Sequence, residues 1–184
     1  TMRAAGMGGA TIVPIYGVKG YEDKYIQHFS PEFVEMVSHA AKEAKRLDMW
    51  VDMTTGTGWP FGGPMISNDN CDSTVSYKNG KISQRWSKRA VKRAAPGNKG
   101  KAINPYSAKA MEYYLTHFDK PFGKEGVVMP RAMYHDSFEF NGNWSKELPE
   151  EFKKRRGYDL TEHYPALFGT GDPDTVARIK ADYR

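Results

Sequence analysis

Two short apolar runs on either side of an amphipathic helix constrain the fold of this chain more than any other feature. Residues 10–16 are apolar and partly β-branched, and Gly17 follows them, which predicts a buried strand that ends in a loop. Ser30 and Pro31 then open a helix with an apolar stripe, formed by Phe33, Val34, Val37, Ala41, Ala44 and Leu47. Residues 49–55 are the next predicted strand. A strand, a helix and a strand in this order predict a right-handed parallel crossover, and therefore an α/β fold.

The second half of the chain repeats this order around an insertion. Residues 74–82 form two alternating runs that flank Asn79 and Gly80, the strongest short-range signal for a β-hairpin. After the hairpin, a helix is predicted over residues 104–118 and a third strand over residues 129–137. Two more helices follow, one that ends at Gly157 and one that Asp172 and Pro173 open.

Three parallel strands leave two open edges, whereas parallel sheets are normally covered on both faces and close on themselves in a barrel. We therefore expect an α/β fold in the form of a partial (β/α)8 TIM barrel with a β-hairpin insertion. On this expectation, residues 1–184 are the N-terminal part of a larger barrel that is cut off at both ends. An open α/β sandwich is the competing architecture, and composition does not separate the two.

Composition excludes several classes of protein. With 184 residues, of which 39% are hydrophobic and 27% charged, the chain has the make-up of about one globular domain rather than a disordered segment. No apolar run approaches the roughly 18 residues that a membrane-spanning helix needs, so no membrane span is expected. The single cysteine, Cys71, excludes an internal disulfide and a cysteine-based zinc cluster.

Basic residues are concentrated between residues 85 and 101, with Trp86 as the only aromatic residue among them. Surfaces that bind nucleic acids usually combine basic and aromatic side chains, so we interpret this stretch as a solvated face and expect no nucleic-acid partner. The stretch comprises Arg85, Lys88, Arg89, Lys92, Arg93, Lys99 and Lys101.

Two acids follow the third predicted strand, at Asp136 and Glu139. In α/β barrels the catalytic groups lie where strands run out into loops at their C-terminal ends, so both residues are candidates for the site. His135 adjoins Asp136, although the alternation of a strand would turn its ring away from that carboxyl group. The alternative is that both acids are loop residues with a capping or ion-pair role.

The loop after the second strand, residues 54–64, is rich in glycine but does not have the spacing of a dinucleotide-binding loop. It carries Trp59 and Phe61, and aromatic rings held by Gly and Pro make a rigid platform for the C–H face of a sugar. The alternative is that these rings only plug the end of the barrel. Tyr16 and Tyr21 are predicted to lie at the same rim, and Asp52 lies within its strand where it faces the barrel interior.

Several segments resemble glycoside hydrolase family 106, the bacterial α-L-rhamnosidases. They are residues 13–22, 51–64, 92–97, 134–139 and 151–160. The resemblance implies the front part of that family's catalytic (β/α)8 barrel, within a periplasmic or extracellular bacterial enzyme. It further implies hydrolysis of terminal α-L-rhamnose from plant or bacterial oligosaccharides or polysaccharides, with inversion at the anomeric carbon and with assistance from Ca²⁺. Metal ligands are not assigned.

Inverting hydrolysis needs one carboxylic acid to protonate the leaving oxygen and one carboxylate to activate water, with the two groups roughly 6.5–9.5 Å apart. We assign Glu139 the role of the base, and Asp136 that of a group that binds a sugar hydroxyl or helps to hold the cation. His135, Trp59, Phe61, Tyr16, Tyr21 and Asp52 complete the predicted substrate site.

The partner acid is not evident in the sequence, with Asp52 and Glu22 as the weak candidates within it. We expect that acid, like much of the site, to come from the remainder of the barrel, and the 184-residue chain alone to be inactive or nearly so. Two alternatives stay open. They are a non-catalytic carbohydrate-binding relative and a barrel hydrolase that acts on a different sugar.

Overall fold

A computed structural model describes residues 2–184 and shows a mixed α/β protein. The strands, in chain order, are β1 (Gly9–Ile12), β2 (Trp50–Thr54), β3 (Gly62–Gly63), β4 (Ser73–Lys78), β5 (Lys81–Trp86), β6 (Lys101–Ala102) and β7 (Ala132–Tyr134). The α-helices are α1 (Pro31–Arg46), α2 (Ala108–Phe122), α3 (Leu148–Arg156), α4 (Tyr164–Leu167) and α5 (Pro173–Tyr183). Short 3-10 turns lie at Arg3–Ala5, Glu22–Lys24 and Leu160–His163.

The main sheet is parallel and has the order β1-β2-β7. The connections between its strands include α1 and α2, so the predicted α/β class is confirmed. The sheet is open, and residues 2–184 form no closed barrel. Both outer strands therefore present an unpaired edge within the part of the chain that the structure describes.

The helices cover one face of this sheet. Along β2, Val51 and Met53 point toward the helices and are buried, whereas Trp50 and Asp52 point to the opposite face. Met53 lies in the main core with residues of α1 and α2, such as Val37 and Phe118. Burial of an apolar side chain of this kind contributes about 1.5–3 kcal/mol, so this core anchors the sheet to its helices.

Local signals placed α1 correctly. The Ser30 hydroxyl accepts a hydrogen bond from the Phe33 N–H, and Pro31 is the first helical residue. At the end of α3, Gly157 adopts the left-handed conformation that the sequence predicted, and Asp172 caps the N-terminus of α5.

Three predicted boundaries were wrong. The first strand ends at Ile12 rather than at residue 16, because Pro14 has no N–H to donate and Tyr16 has a φ of 47°. The third parallel strand is only Ala132–Tyr134, because its partner β2 ends at Thr54. Helix α2 begins after Ser107, which caps it, rather than at residue 104.

The predicted hairpin insertion is confirmed as β4 and β5, which form a separate two-stranded sheet. Asn79 and Gly80 connect the two strands, both with positive φ, as the tight hairpin turn requires. The hairpin packs on the C-terminal helices through a second core. This core contains Trp144, Phe152, Leu160, Ala166 and Ile179, with Val75 and Ile82 of the hairpin against it.

Within residues 2–184, no helix is long and apolar enough to cross a membrane.

Candidate functional site

The ends of β2 and β7 are joined at the edge of the sheet from which the candidate loops leave. The Thr55 N–H and hydroxyl both donate to the Tyr134 carbonyl, at 3.0 and 3.1 Å. The Tyr114 hydroxyl of α2 donates to the Thr55 carbonyl at 2.9 Å. The loops that carry Trp59 and Glu139 therefore start from neighbouring positions that a buried tyrosine supports.

Glu139 lies in the loop after β7, where two cations hold its carboxyl group. Its Oε2 accepts hydrogen bonds from Arg89 Nη2 at 2.8 Å and from Lys92 Nζ at 3.1 Å. Arg89 Nε also donates to the Glu139 main-chain carbonyl at 2.6 Å. The side chain is 31% exposed, so a water or a substrate can reach it while its position stays constrained.

Asp72 organises the loop that carries Glu139. It is fully buried, and its carboxyl group accepts hydrogen bonds from the main-chain N–H groups of Asn141 and Gly142 and from the Ser87 hydroxyl. The Ser87 hydroxyl oxygen in turn accepts a bond from the Arg89 N–H. The buried Asp72 side chain therefore connects the loop that carries Glu139 to the segment that carries Arg89.

Trp59 contacts the same basic segment, residues 89–93. Its main chain exchanges two hydrogen bonds with Lys92, at 3.2 and 3.1 Å. The approach is close, because a Cβ at Gly58 would lie 1.8 Å from the Lys92 carbonyl oxygen. The Arg93 guanidinium lies 5.1 Å from the centre of the Trp59 ring. Trp59 and Glu139 are thus brought together through residues 89–93.

Tyr16 also contacts this segment. Its N–H donates to the Arg93 carbonyl at 3.2 Å, and the Arg93 guanidinium lies 5.9 Å from its ring. Tyr21 lies further along the same loop, with Lys24 Nζ 5.2 Å from its ring centre. Both tyrosines line a groove of about 760 Å³. The structure therefore places both tyrosines at one open groove, and Tyr16 shares its contact with Arg93 with Trp59.

Phe61 and His135 lie in contact with each other. Phe61 is only 1% exposed and belongs to the main core, so its ring supports the site rather than facing solvent. The His135 ring packs edge-on against it, with the ring centres 4.2 Å apart. Burial lowers the pKa of His135, so the neutral imidazole is favoured at neutral pH.

Asp136 and Asp52 are occupied by local partners. Asp136 accepts hydrogen bonds from the N–H and the hydroxyl of Ser137, so it stabilises its own turn. Asp52 lies on the sheet face opposite the helices and forms a two-bond ion pair with Arg131, at 3.0 and 2.5 Å. Hydrogen bonding to Arg131 lowers the pKa of Asp52. Neither acid shares a hydrogen-bond partner with Glu139 in the residues described.

Across residues 2–184, no three His, Cys, Asp or Glu side chains come close enough together to hold a metal ion. Ca²⁺ takes six to eight oxygen ligands, which can include main-chain carbonyl groups, so the involvement of calcium stays a prediction.

Five residues of this site were not predicted as functional from the sequence. Arg89, Lys92 and Arg93 were interpreted as a solvated face, but the first two hold Glu139 and the third contacts Trp59 and Tyr16. Asp72 and Ser87 belong to no motif in the sequence. The one signal available was the resemblance over residues 92–97, because no local pattern pairs Arg89 with an acid 50 positions away.

Comparison with known families tests the resemblance. The model of glycoside hydrolase family 106, described as alpha-L-rhamnosidase, matches residues 87–184, which is more than half of the chain. The chain belongs to glycoside hydrolase family 106. A search of curated proteins finds no match. The matched part of this family 106 protein contains Arg89, Lys92, Arg93 and Glu139, and thus the cationic support of the candidate acid.

Proposed function

We propose that this chain forms part of the active site of an inverting α-L-rhamnosidase, with Glu139 as the general base. The observation that supports this most is the fixed carboxyl group of Glu139, which lies in the family-matched segment and is bonded to Lys92, whose main chain pairs with Trp59. Both cations bond to Oε2, and among the described residues no group donates to Oε1. Oε1 is therefore the atom that accepts a proton from the attacking water.

In this reaction the water oxygen bonds to the anomeric carbon while Glu139 takes the proton that the water loses. The bond from the anomeric carbon to the leaving oxygen breaks, and a second carboxylic acid protonates that oxygen. Arg89 and Lys92 take no part in the proton transfer. Their role is to keep the base in one position, and misplacement of a reacting group by about 1 Å can cost a hundredfold in rate.

Trp59 is the proposed platform for the sugar ring. Its side chain is half-buried, and its main chain is held by two bonds to Lys92, so the ring is presented rigidly. Stacking of C–H groups on an indole does not distinguish one hydroxyl configuration from another. The assignment to rhamnose, rather than to another sugar, therefore rests on membership of the family.

We further propose that the β1-β2-β7 sheet is the first part of a (β/α)8 barrel that other strands complete. Both edges of this sheet are unpaired in the residues described, and the face opposite the helices exposes Trp50 and Tyr134. The Asp52–Arg131 pair lies on that same face, where a barrel interior would enclose it. On this proposal the proton-donating acid comes from the rest of the barrel, and the chain alone is inactive or nearly so.

A sugar-binding protein without catalysis is the second candidate. It is favoured by the ion pairs of Glu139, which would suit a structural acid as well as a base. A requirement for Ca²⁺ and a periplasmic or extracellular location are further proposals that rest on the family alone.

The test uses the intact enzyme and an aryl α-L-rhamnoside. Glu139→Gln keeps the size of the side chain and removes the base, so kcat is expected to fall about a hundredfold or more while KM changes little. Glu151→Gln, on the exposed surface of α3, is the matched control. Unchanged turnover in Glu139→Gln would refute the role of Glu139. Parallel assays on other aryl glycosides, with and without a chelator, test the sugar and the calcium requirement.

A further inference from the structure

The two ends of the β4-β5 hairpin are fastened to each other on the side that leads to the candidate base. Asp72 comes directly before β4, and Ser87 comes directly after β5. The Ser87 N–H donates to the Asp72 carbonyl at 2.9 Å, and the Ser87 hydroxyl donates to Asp72 Oδ2 at 2.6 Å. Because Asp72 is fully buried, the hairpin begins and ends at one fixed point.

Ser87 also controls the turn by which the chain leaves the hairpin. Lys88 has a φ of 63°, and the Ser87 hydroxyl oxygen accepts a hydrogen bond from the Arg89 N–H at 3.1 Å across it. Left-handed backbone at a residue other than Gly persists only where the surrounding structure fixes it. The Ser87 hydroxyl is itself held by Asp72, so it fixes this turn and the direction in which the chain continues to Arg89.

Arg89 carries this constraint to Glu139. Its Nε donates to the Glu139 main-chain carbonyl at 2.6 Å, and its Nη2 donates to Glu139 Oε2 at 2.8 Å. The planar guanidinium thus holds the main chain and the side chain of one residue together. Lys92 bonds only to Oε2, and its side chain is 55% exposed against 19% for Arg89. Arg89 is therefore the firmer of the two supports.

We propose that Ser87, anchored on Asp72, is a positioning residue for the reaction. It contacts no substrate, and it fixes the turn that directs Arg89 to Glu139. The hairpin insertion therefore contributes to the rate of hydrolysis through its base, at a distance from the sugar. This role rests on the proposed function, because it takes Glu139 as the general base. Since Ser87 acts on the position of the base alone, its loss lowers kcat and leaves KM nearly unchanged.

The experiment measures kcat and KM of the intact enzyme on an aryl α-L-rhamnoside, after a thermal melt has shown that each variant is folded. Ser87→Ala removes the hydroxyl group and leaves Asp72 bonded to the Asn141 and Gly142 N–H groups. It is expected to lower kcat about tenfold and to change KM less than about twofold. Ser87→Thr keeps the hydroxyl group and is expected to keep kcat within about twofold. Ser83→Ala, at an exposed position of β5, is the matched control and is expected to change neither constant.

A double-mutant cycle separates positioning through Arg89 from a general structural role. Ser87→Ala is introduced into the Arg89→Gln variant, in which the guanidinium that holds Glu139 is already absent. If Ser87 acts through Arg89, the second substitution is expected to lower kcat less than about twofold further, because the two residues belong to one chain of contacts. A general structural role of Ser87 would lower kcat by the same factor in both backgrounds.

Three results would overturn the role of Ser87: an unchanged kcat in Ser87→Ala, a Ser87→Thr variant as slow as Ser87→Ala, or equal effects in the two backgrounds of the cycle. An unchanged kcat in Ser87→Ala together with a slow Glu139→Gln variant overturns the role of Ser87 alone. Unchanged turnover in Glu139→Gln, or no hydrolysis by the unmodified enzyme, refutes the proposed function and with it the role of Ser87. The two failures are therefore distinguishable.

Discussion

Replacement of Asp72 by Asn tests how the loop that carries Glu139 is held in place. Asp72 is fully buried and receives three donors, the N–H groups of Asn141 and Gly142 and the hydroxyl of Ser87. Asn has nearly the same size, so the substitution changes hydrogen bonding with little change in packing. The amide oxygen of Asn is a weaker acceptor than the carboxylate of Asp. The NH₂ group of Asn would face these three donors and would find no acceptor among them.

The magnitude follows from the number of donors. A hydrogen bond to a charged group contributes about 1.5–3 kcal/mol, and one between neutral groups about 0.5–1.5 kcal/mol. The loss is therefore about 1 kcal/mol for each of the donors from Asn141, Gly142 and Ser87, and about 3 kcal/mol in total. With an m-value of about 2 kcal/mol/M, the urea midpoint is expected to fall by about 1.5 M.

The assay is equilibrium unfolding in urea, followed by tryptophan fluorescence, with hydrogen exchange measured at Asn141 and Gly142. These two amides are expected to lose protection in Asp72→Asn before the rest of the chain does. Asp69→Asn is the matched control, because its carboxyl group forms an exposed ion pair with Lys146 and its loss is expected to cost less than about 0.5 kcal/mol. A midpoint for Asp72→Asn within about 0.3 M of the unmodified protein would refute the reasoning.

Two further predictions concern the same loop and a buried histidine. Gly142→Ala is expected to destabilise the fold by about 1–3 kcal/mol in the same assay, because its Cβ would lie 2.0 Å from Asp72 Oδ1. Gly8→Ala is the control, because a Cβ at Gly8 meets no atom within 4 Å and the substitution is expected to be neutral. Burial lowers the pKa of His28 from 6.5 to about 4. Between these two pH values the unfolded chain binds a proton at His28 that the folded chain does not bind, so the folded state loses stability as the pH falls from 6.5 to 4. The loss attributable to His28 is about 3 kcal/mol, and urea midpoints at pH 7 and pH 4.5 are expected to differ less in His28→Gln. An equal difference in both proteins would contradict the assignment to His28.

The sequence predicted well those features that neighbouring residues decide. The start of α1 depends on a bond between Ser30 and Phe33, and the hairpin depends on the positive φ of Asn79 and Gly80. The α/β class follows from the order of such elements along the chain. The acid that the sequence singled out, Glu139, lies in the family-matched segment, although its role as a base stays a prediction.

Strand ends and side-chain partners were decided only by the tertiary structure. The strand β7 is short because it ends with its partner β2, which lies about 80 residues earlier in the chain, in the register of Thr54 with Tyr134. The bond between Arg89 and Glu139 spans 50 residues, and that between Asp72 and Gly142 spans 70. Pairs of this kind carry no periodic pattern, because hydrophobic periodicity reports only which face of an element is buried. Arg89 and Lys92, which the sequence alone predicted to lie on a solvated surface, therefore hold the candidate base only because the tertiary fold places them next to Glu139.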